Sequence, residues 1–209
     1  MLFWASAAGD LELRQDGGGA RLRGRFPYNR AAVLSDGGRT GRPQKERIAS
    51  RAFSYRVERP DEDIHLLVGH SFDAPLASKA TGTLKLRDTD AALTFDAEIS
   101  PTIAQTSHDR DVLALIQAGL ALGLSPGFRI PPRRAVPDAE EVEEEGDNPA
   151  RGEHGAIIRT VKEALLYELS IVTRPAYPEA QVEMRNWLVL SRSFGRLAPP
   201  AYMLRRWRP

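Results

Sequence analysis

The chain has 209 residues, 42% apolar and 27% charged, with a net charge of +1, which is ordinary for one folded domain with a substantial core. It has no cysteine, so disulfides and cysteine-ligated zinc sites are excluded. No apolar run approaches the ~20 residues that span a bilayer, and Met1–Asp10 lacks the basic and apolar regions of a secretory signal, so it is read as a loose end.

Ala20, Leu22, Gly24 and Phe26 alternate with Arg21, Arg23 and Arg25, the pattern of a strand with one wet face. Ala52 to Val57 is a second short alternating run. Ile64 to Gly69 is nearly continuous apolar and suits a strand buried on both faces. Pro75 marks a turn before a strand over Thr81 to Leu86. Leu93, Phe95, Ala97 and Ile99 alternate with Thr94, Asp96 and Glu98, the clearest strand in the chain. Short strands separated by turn signals predict a sheet sandwich or barrel.

One helix is well marked. Ser107 caps it, Asp109 and Asp111 sit in its first turn, and Val112, Leu115, Ile116, Gly119 and Leu120 share one face, with Gly123 as its stop. Ser125 then falls in a tight Ser-Pro-Gly turn. Residues 131–155 hold four prolines and lack apolar periodicity, which predicts a mobile loop. Residues 156–172 fit either a helix or a strand. A second helix is expected over about 179–191, and 192–209 reads as a basic tail with five arginines and three prolines. The whole is read as a single domain, 1–209, with its core at about 20–185.

Charge is unevenly spread. Residues 14–51 hold ten Arg or Lys against three acids, and 138–147 hold seven acids and no base. Such blocks are solvated surface, or else basic segments that meet an acidic partner.

Three residues carry chemistry. His70 follows an apolar strand and precedes a turn, where an imidazole faces a cleft and serves as a base near neutral pH. Ser125 needs such a base to become a nucleophile. The following Pro126 has no N–H, so an oxyanion must use other donors, such as the N–H of Ser125 or Gly127 or groups from another segment, of which Thr173-Arg174 is one candidate. Glu168 is a lone acid among Leu165, Leu166, Leu169 and Ile171, and a protonated imidazole is a fitting partner for it. Each also has a bland reading: a structural histidine, a turn serine, a solvent-facing acid. His65, His108 and His154 rank behind His70, Ser170 is the rival nucleophile, and Asp73 is the runner-up to Glu168. The order His, Ser, acid differs from the three familiar serine-hydrolase orders.

The segments Glu46-Arg47-Ile48-Ala49, Leu66-Leu67-Val68-Gly69-His70, Gly123-Leu124-Ser125-Pro126-Gly127-Phe128 and Tyr167-Glu168-Leu169-Ser170-Ile171-Val172, with Pro175-Ala176 beyond them, together resemble the prohead serine proteases of tailed phages and gene transfer agents. The resemblance covers about residues 22–185. It implies an α+β, herpesvirus-protease-like fold, a mostly antiparallel β-barrel ringed by helices, and His70, Ser125 and Glu168 as catalytic residues. It further implies an endopeptidase without cofactor or metal, acting inside the assembling procapsid in the bacterial cytoplasm. Its implied partners are the major capsid protein with its scaffolding region, the protease itself by autocleavage, and a second copy in a homodimer. The rival readings are a non-catalytic capsid-assembly scaffold on the same fold and, less favoured, a nucleic-acid-binding protein.

Overall fold

Alternating apolar and polar residues make strands the main element of this chain. The computed structural model describes residues 3–4, 12–16, 18–39, 41–121, 123–148, 150 and 153–173. In chain order the elements are β1 (Phe3–Trp4), β2 (Glu12–Asp16), β3 (Gly19–Pro27), β4 (Ala31–Ser35), β5 (Gln44–Ile48), α1 (Ser54–Glu58), β6 (His65–Val68) and β7 (Ser71–Ser78). There follow β8 (Leu84–Asp88), β9 (Ala92–Ile99), α2 (Pro101–Ala104), α3 (Ser107–Gln117), β10 (Gly123–Arg129), β11 (Glu140–Glu144), β12 (Ile157–Val161) and β13 (Leu165–Val172). The expected 179–191 helix and the 192–209 tail lie outside the described residues.

The strands form three sheets, ordered β1-β2-β3-β9-β8, β10-β13-β6-β7 and β11-β12-β5-β4. None of them closes into a barrel, and the three described helices are short, so the α+β composition is dominated by strands rather than ringed by helices. The first sheet is antiparallel throughout. In the second, β13 runs parallel to β6 at its centre, with β10 and β7 antiparallel at the edges. That parallel pairing sets Glu168 beside His65 and Ile171 beside Val68, residues about a hundred positions apart in sequence.

One apolar core joins the sheets, and Phe53 is central to it. Fully buried, it packs against Phe26 of β3 at 6.3 Å, against Tyr28 just past that strand at 6.1 Å and against Phe128 of β10 at 5.6 Å. The expected strand over Ala52–Val57 is instead a turn leading into α1. The buried residues Ala52, Phe53, Arg56 and Val57 recur at helical spacing, which the short alternation concealed.

Other local expectations shift for identifiable reasons. α3 ends at Gly119, not Gly123: Gly119 N–H bonds Ile116 O at 3.0 Å and Leu120 N–H bonds Leu115 O at 2.8 Å, a Schellman closure. Pro75 lies within β7 rather than in a turn, tolerated because β7 is an edge strand whose pairing with β6 carries register shifts. Residues 156–172 are two strands, β12 and β13, and Phe3–Trp4 in the expected loose end pairs with β2.

The acidic run, expected to be loop, forms β11 and pairs with β12. Its carboxylates meet bases from the earlier basic stretch. Arg42 reaches Glu144 at 3.0 Å, Arg47 reaches Glu143 at 3.5 Å and Lys45 pairs with Glu145, while Lys162 meets Glu141 at 2.8 Å. The acidic partner anticipated for the basic residues of β5 is therefore a strand of the same chain. Burial works against the Glu145 carboxylate, yet Lys45 and the N–H groups of His154 and Ala156 outweigh it and hold the carboxyl below its ordinary value of 4.5.

Two outcomes follow from this packing. Phe53→Ala is expected to destabilise the fold by about 3–5 kcal/mol, read by urea unfolding, because it removes the ring that joins two sheets. A depressed carboxyl stabilises the fold above its ordinary value, and that contribution is lost as the pH falls through the lower, folded-state value. Thermal unfolding followed by circular dichroism is thus expected to weaken below about pH 4.5, with Glu145→Gln flattening that part of the dependence.

Candidate active site

His70 sits at the tip of a hairpin. Val68 pairs with Ser71, leaving Gly69 and His70 as a two-residue loop with φ of 58° and 62°. Two positive φ values define the type I′ turn, whose twist matches that of the flanking strands. Glycine adopts it freely, and histidine is among the few other residues enriched there. The imidazole is therefore presented by a rigid turn, not by the strand end expected from sequence, and its side chain is 48% exposed.

Ser125 and Glu168 come from the paired strands β10 and β13. Ser125 is opposite Ser170 and Gly127 is opposite Glu168, so all four share one face of the sheet. The other face puts Leu124, Leu169 and Ile171 into the core. The expected Ser-Pro-Gly turn is thus an extended strand. Pro126 is accommodated there because β10 is the other edge of its sheet. Gly127 is needed for a reason the sequence concealed: a Cβ at this position would lie 1.8 Å from Glu168 Oε1. The space beside Ser125 is thus taken by the Glu168 carboxylate. Just beyond, the register shifts between Gly127 and Phe128, a bulge that restores Leu166 to the core side.

The Glu168 side chain is 5% exposed and held from both oxygens. Its Oε1 is 2.7 Å from His70 Nδ1, and its Oε2 accepts from the Ser170 hydroxyl at 2.7 Å. The Ser170 oxygen in turn accepts the backbone N–H of His70 at 2.9 Å, and Gly69 N–H donates to Ile171 O at 3.0 Å. Because Ser170 Oγ receives the amide proton, its own proton is directed at the carboxylate. Facing that carboxylate, the complementary imidazole tautomer carries its proton on Nδ1 and leaves the Nε2 lone pair available. Among the described residues the Ser125 hydroxyl has no hydrogen-bond partner, though the residue is only 7% exposed. It lies on the same sheet face as Glu168, the residue that contacts the His70 imidazole.

The remaining candidates are elsewhere. Asp73 is exposed, and its N–H is bonded by Ser71. His65 pairs with Asp63 at 3.4 Å, His108 with Asp109 at 3.5 Å, and the His154 backbone N–H bonds Glu145. Ser170, the rival nucleophile, is fully buried with its hydroxyl engaged. Of the residues named for oxyanion donors, Thr173 is exposed just past β13 and Arg174 lies outside the described residues. Among the described residues no cluster of three or more His, Asp or Glu is arranged to hold a metal ion, and no helix is long and apolar enough to cross a membrane.

The family model for the caudovirus prohead serine protease matches residues 28–192, most of the chain and all three candidate residues. The chain belongs to that family. No curated protein and no solved structure matches it significantly. As a prohead serine protease it is a hydrolase of capsid maturation, associated with the assembling procapsid and its capsid or scaffold proteins.

Gly127→Ala in this prohead protease is expected to push the Glu168 carboxylate off the imidazole. Capsid-protein cleavage should fall about 100-fold, as misplacement by ~1 Å does in preorganised sites. Gel-based rates checked against a thermal melt separate this loss from unfolding.

Proposed function

We propose that this prohead serine protease works through a triad in which Ser125 is the nucleophile, His70 the general base and acid, and Glu168 the residue that orients His70. The observation supporting this reading is the 2.7 Å contact between His70 Nδ1 and the buried Glu168 carboxylate, above the sheet face that carries Ser125. His70 Nε2 accepts the Ser125 proton as Oγ bonds the peptide carbonyl carbon. The imidazolium that forms is stabilised by Glu168 and passes the proton to the departing amine nitrogen as the C–N bond breaks. Water, deprotonated by the same nitrogen, then attacks the acyl carbon; the bond to Ser125 Oγ breaks as the imidazolium returns the proton to Oγ, releasing the new carboxyl terminus. Pro126 offers no N–H to the oxyanion, so the donors are the N–H of Ser125 or Gly127 or groups from another segment. No step calls for a cofactor or metal.

The substrates in this reading are the scaffolding region of the major capsid protein, or a separate scaffold protein, and the protease itself. The setting is the interior of the procapsid in the host bacterial cytoplasm. The buried Glu168 carboxylate, held against an imidazole on the sheet face that carries Ser125, favours this reading over a passive scaffold.

Co-expression with the capsid protein tests the assignment. Ser125→Ala and His70→Ala are expected to abolish capsid-protein processing while procapsids still assemble, and Glu168→Gln to slow it roughly 10,000-fold. Continued processing by Ser125→Ala contradicts the nucleophile. Autocleavage is checked by mass spectrometry of the purified chain: new termini are expected in the wild type and absent in Ser125→Ala.

A further inference from the structure

We infer that Ser170 is a positioning residue of the protease, tying the backbone of the hairpin tip to the carboxylate that orients the base. This deepens the triad reading above and rests on it. The geometry is a closed ring. His70 N–H donates to Ser170 Oγ at 2.9 Å, Ser170 O–H donates to Glu168 Oε2 at 2.7 Å, and Glu168 Oε1 receives His70 Nδ1 at 2.7 Å. Every member of the ring has its direction fixed by the next.

The ring solves a specific problem. His70 lies on a two-residue turn outside the sheet ladder, and its side chain is half exposed. Glu168 orients only the far end of that side chain. Ser170 fixes the near end, the backbone amide, and it does so from the residue directly opposite Ser125 in the strand pairing. Together with the Gly69 N–H bond to Ile171 O, that hydroxyl on β13 ties the base to the strand paired with the nucleophile's strand. Ser170 also supplies the second hydrogen bond to a carboxylate that has no Lys or Arg pairing with it among the described residues. Without that hydroxyl, Oε2 is a buried acceptor without a donor, and the carboxylate is free to rotate away from Nδ1. The Glu-x-Ser spacing follows from strand geometry, because residues i and i+2 project from the same face.

A nucleophile-directed probe tests this without knowledge of the cleavage sequence. The purified full chain is treated with a fluorophosphonate, and the adduct is located and its rate measured by mass spectrometry. The wild type is expected to be labelled on Ser125. Ser170→Ala is expected to lower the thermal midpoint by a few °C, because Glu168 Oε2 loses its donor, yet to remain folded at the assay temperature. Its KI should stay within about twofold, while kinact falls about 10- to 100-fold, the loss seen when a partner that orients a reacting group is removed. Ser170→Thr, which retains the hydroxyl, is expected to recover most of that rate. Imidazole nitrogen NMR supplies a readout independent of labelling: the His70 Nδ1–H tautomer should dominate in the wild type and in Ser170→Thr and become mixed in Ser170→Ala. An unchanged kinact and tautomer in a folded Ser170→Ala overturn the positioning role and leave the triad standing. Labelling that persists in Ser125→Ala, or an adduct on Ser170 itself, overturns the triad and this inference with it.

Discussion

A carboxylate removed from water must be surrounded by hydrogen-bond donors or paired with a cation, because nothing else repays its lost hydration. At Glu168 that requirement governs the surrounding structure. The side chain stands on the central strand pair of its sheet, where water does not reach. Its neighbour across the ladder must lack a Cβ, and is Gly127. Its neighbour two residues along the strand must donate, and is Ser170. The remaining oxygen must meet a group that arrives from outside the strand pair, and the Gly69–His70 turn delivers an imidazole to it. Each of these residues would be unremarkable elsewhere. Their identities are dictated jointly by one buried charge.

The rest of the fold keeps that arrangement in register. The parallel pairing of β6 with β13 brings the hairpin over the carboxylate, and a one-residue slip would turn Glu168 and Ser170 into the core. Phe53 anchors the second sheet to the first through Phe128, three residues beyond Ser125. The third sheet uses a different principle. Its strands carry opposite charges, and it gathers Arg42, Lys45 and Arg47 from one part of the chain against the acidic run from another.

Much of this was legible in the sequence wherever one face of a strand is wet. β3 alternates over its whole length and β9 from Leu93 onward, and their observed burial follows that alternation. His70 and Glu168 stood out as candidates because one is beside a turn glycine and the other is a charge among aliphatic residues, and the structure brings them into contact. Less legible were elements whose defining partner is distant. Ser125-Pro126-Gly127 looks like a turn because proline and glycine are usually turn residues, yet here one marks an edge strand and the other makes room for a side chain forty-one positions away. β11 reads as loop because its acids pair with bases about a hundred residues earlier, an attraction that no local window contains. Ser170 was noticed as a nucleophile because a hydroxyl's reactivity is visible in sequence, whereas its two hydrogen bonds are not.

The central claim is that Ser125, His70 and Glu168 act together across one sheet face. A crystal structure of the full chain carrying a phosphonate adduct tests it most directly. The account predicts the adduct on Ser125 Oγ, His70 Nε2 within about 2.6–3.2 Å of that oxygen, and Glu168 still bonded to Nδ1. An adduct on another residue, or an imidazole turned to solvent with Glu168 bonded elsewhere, would contradict it.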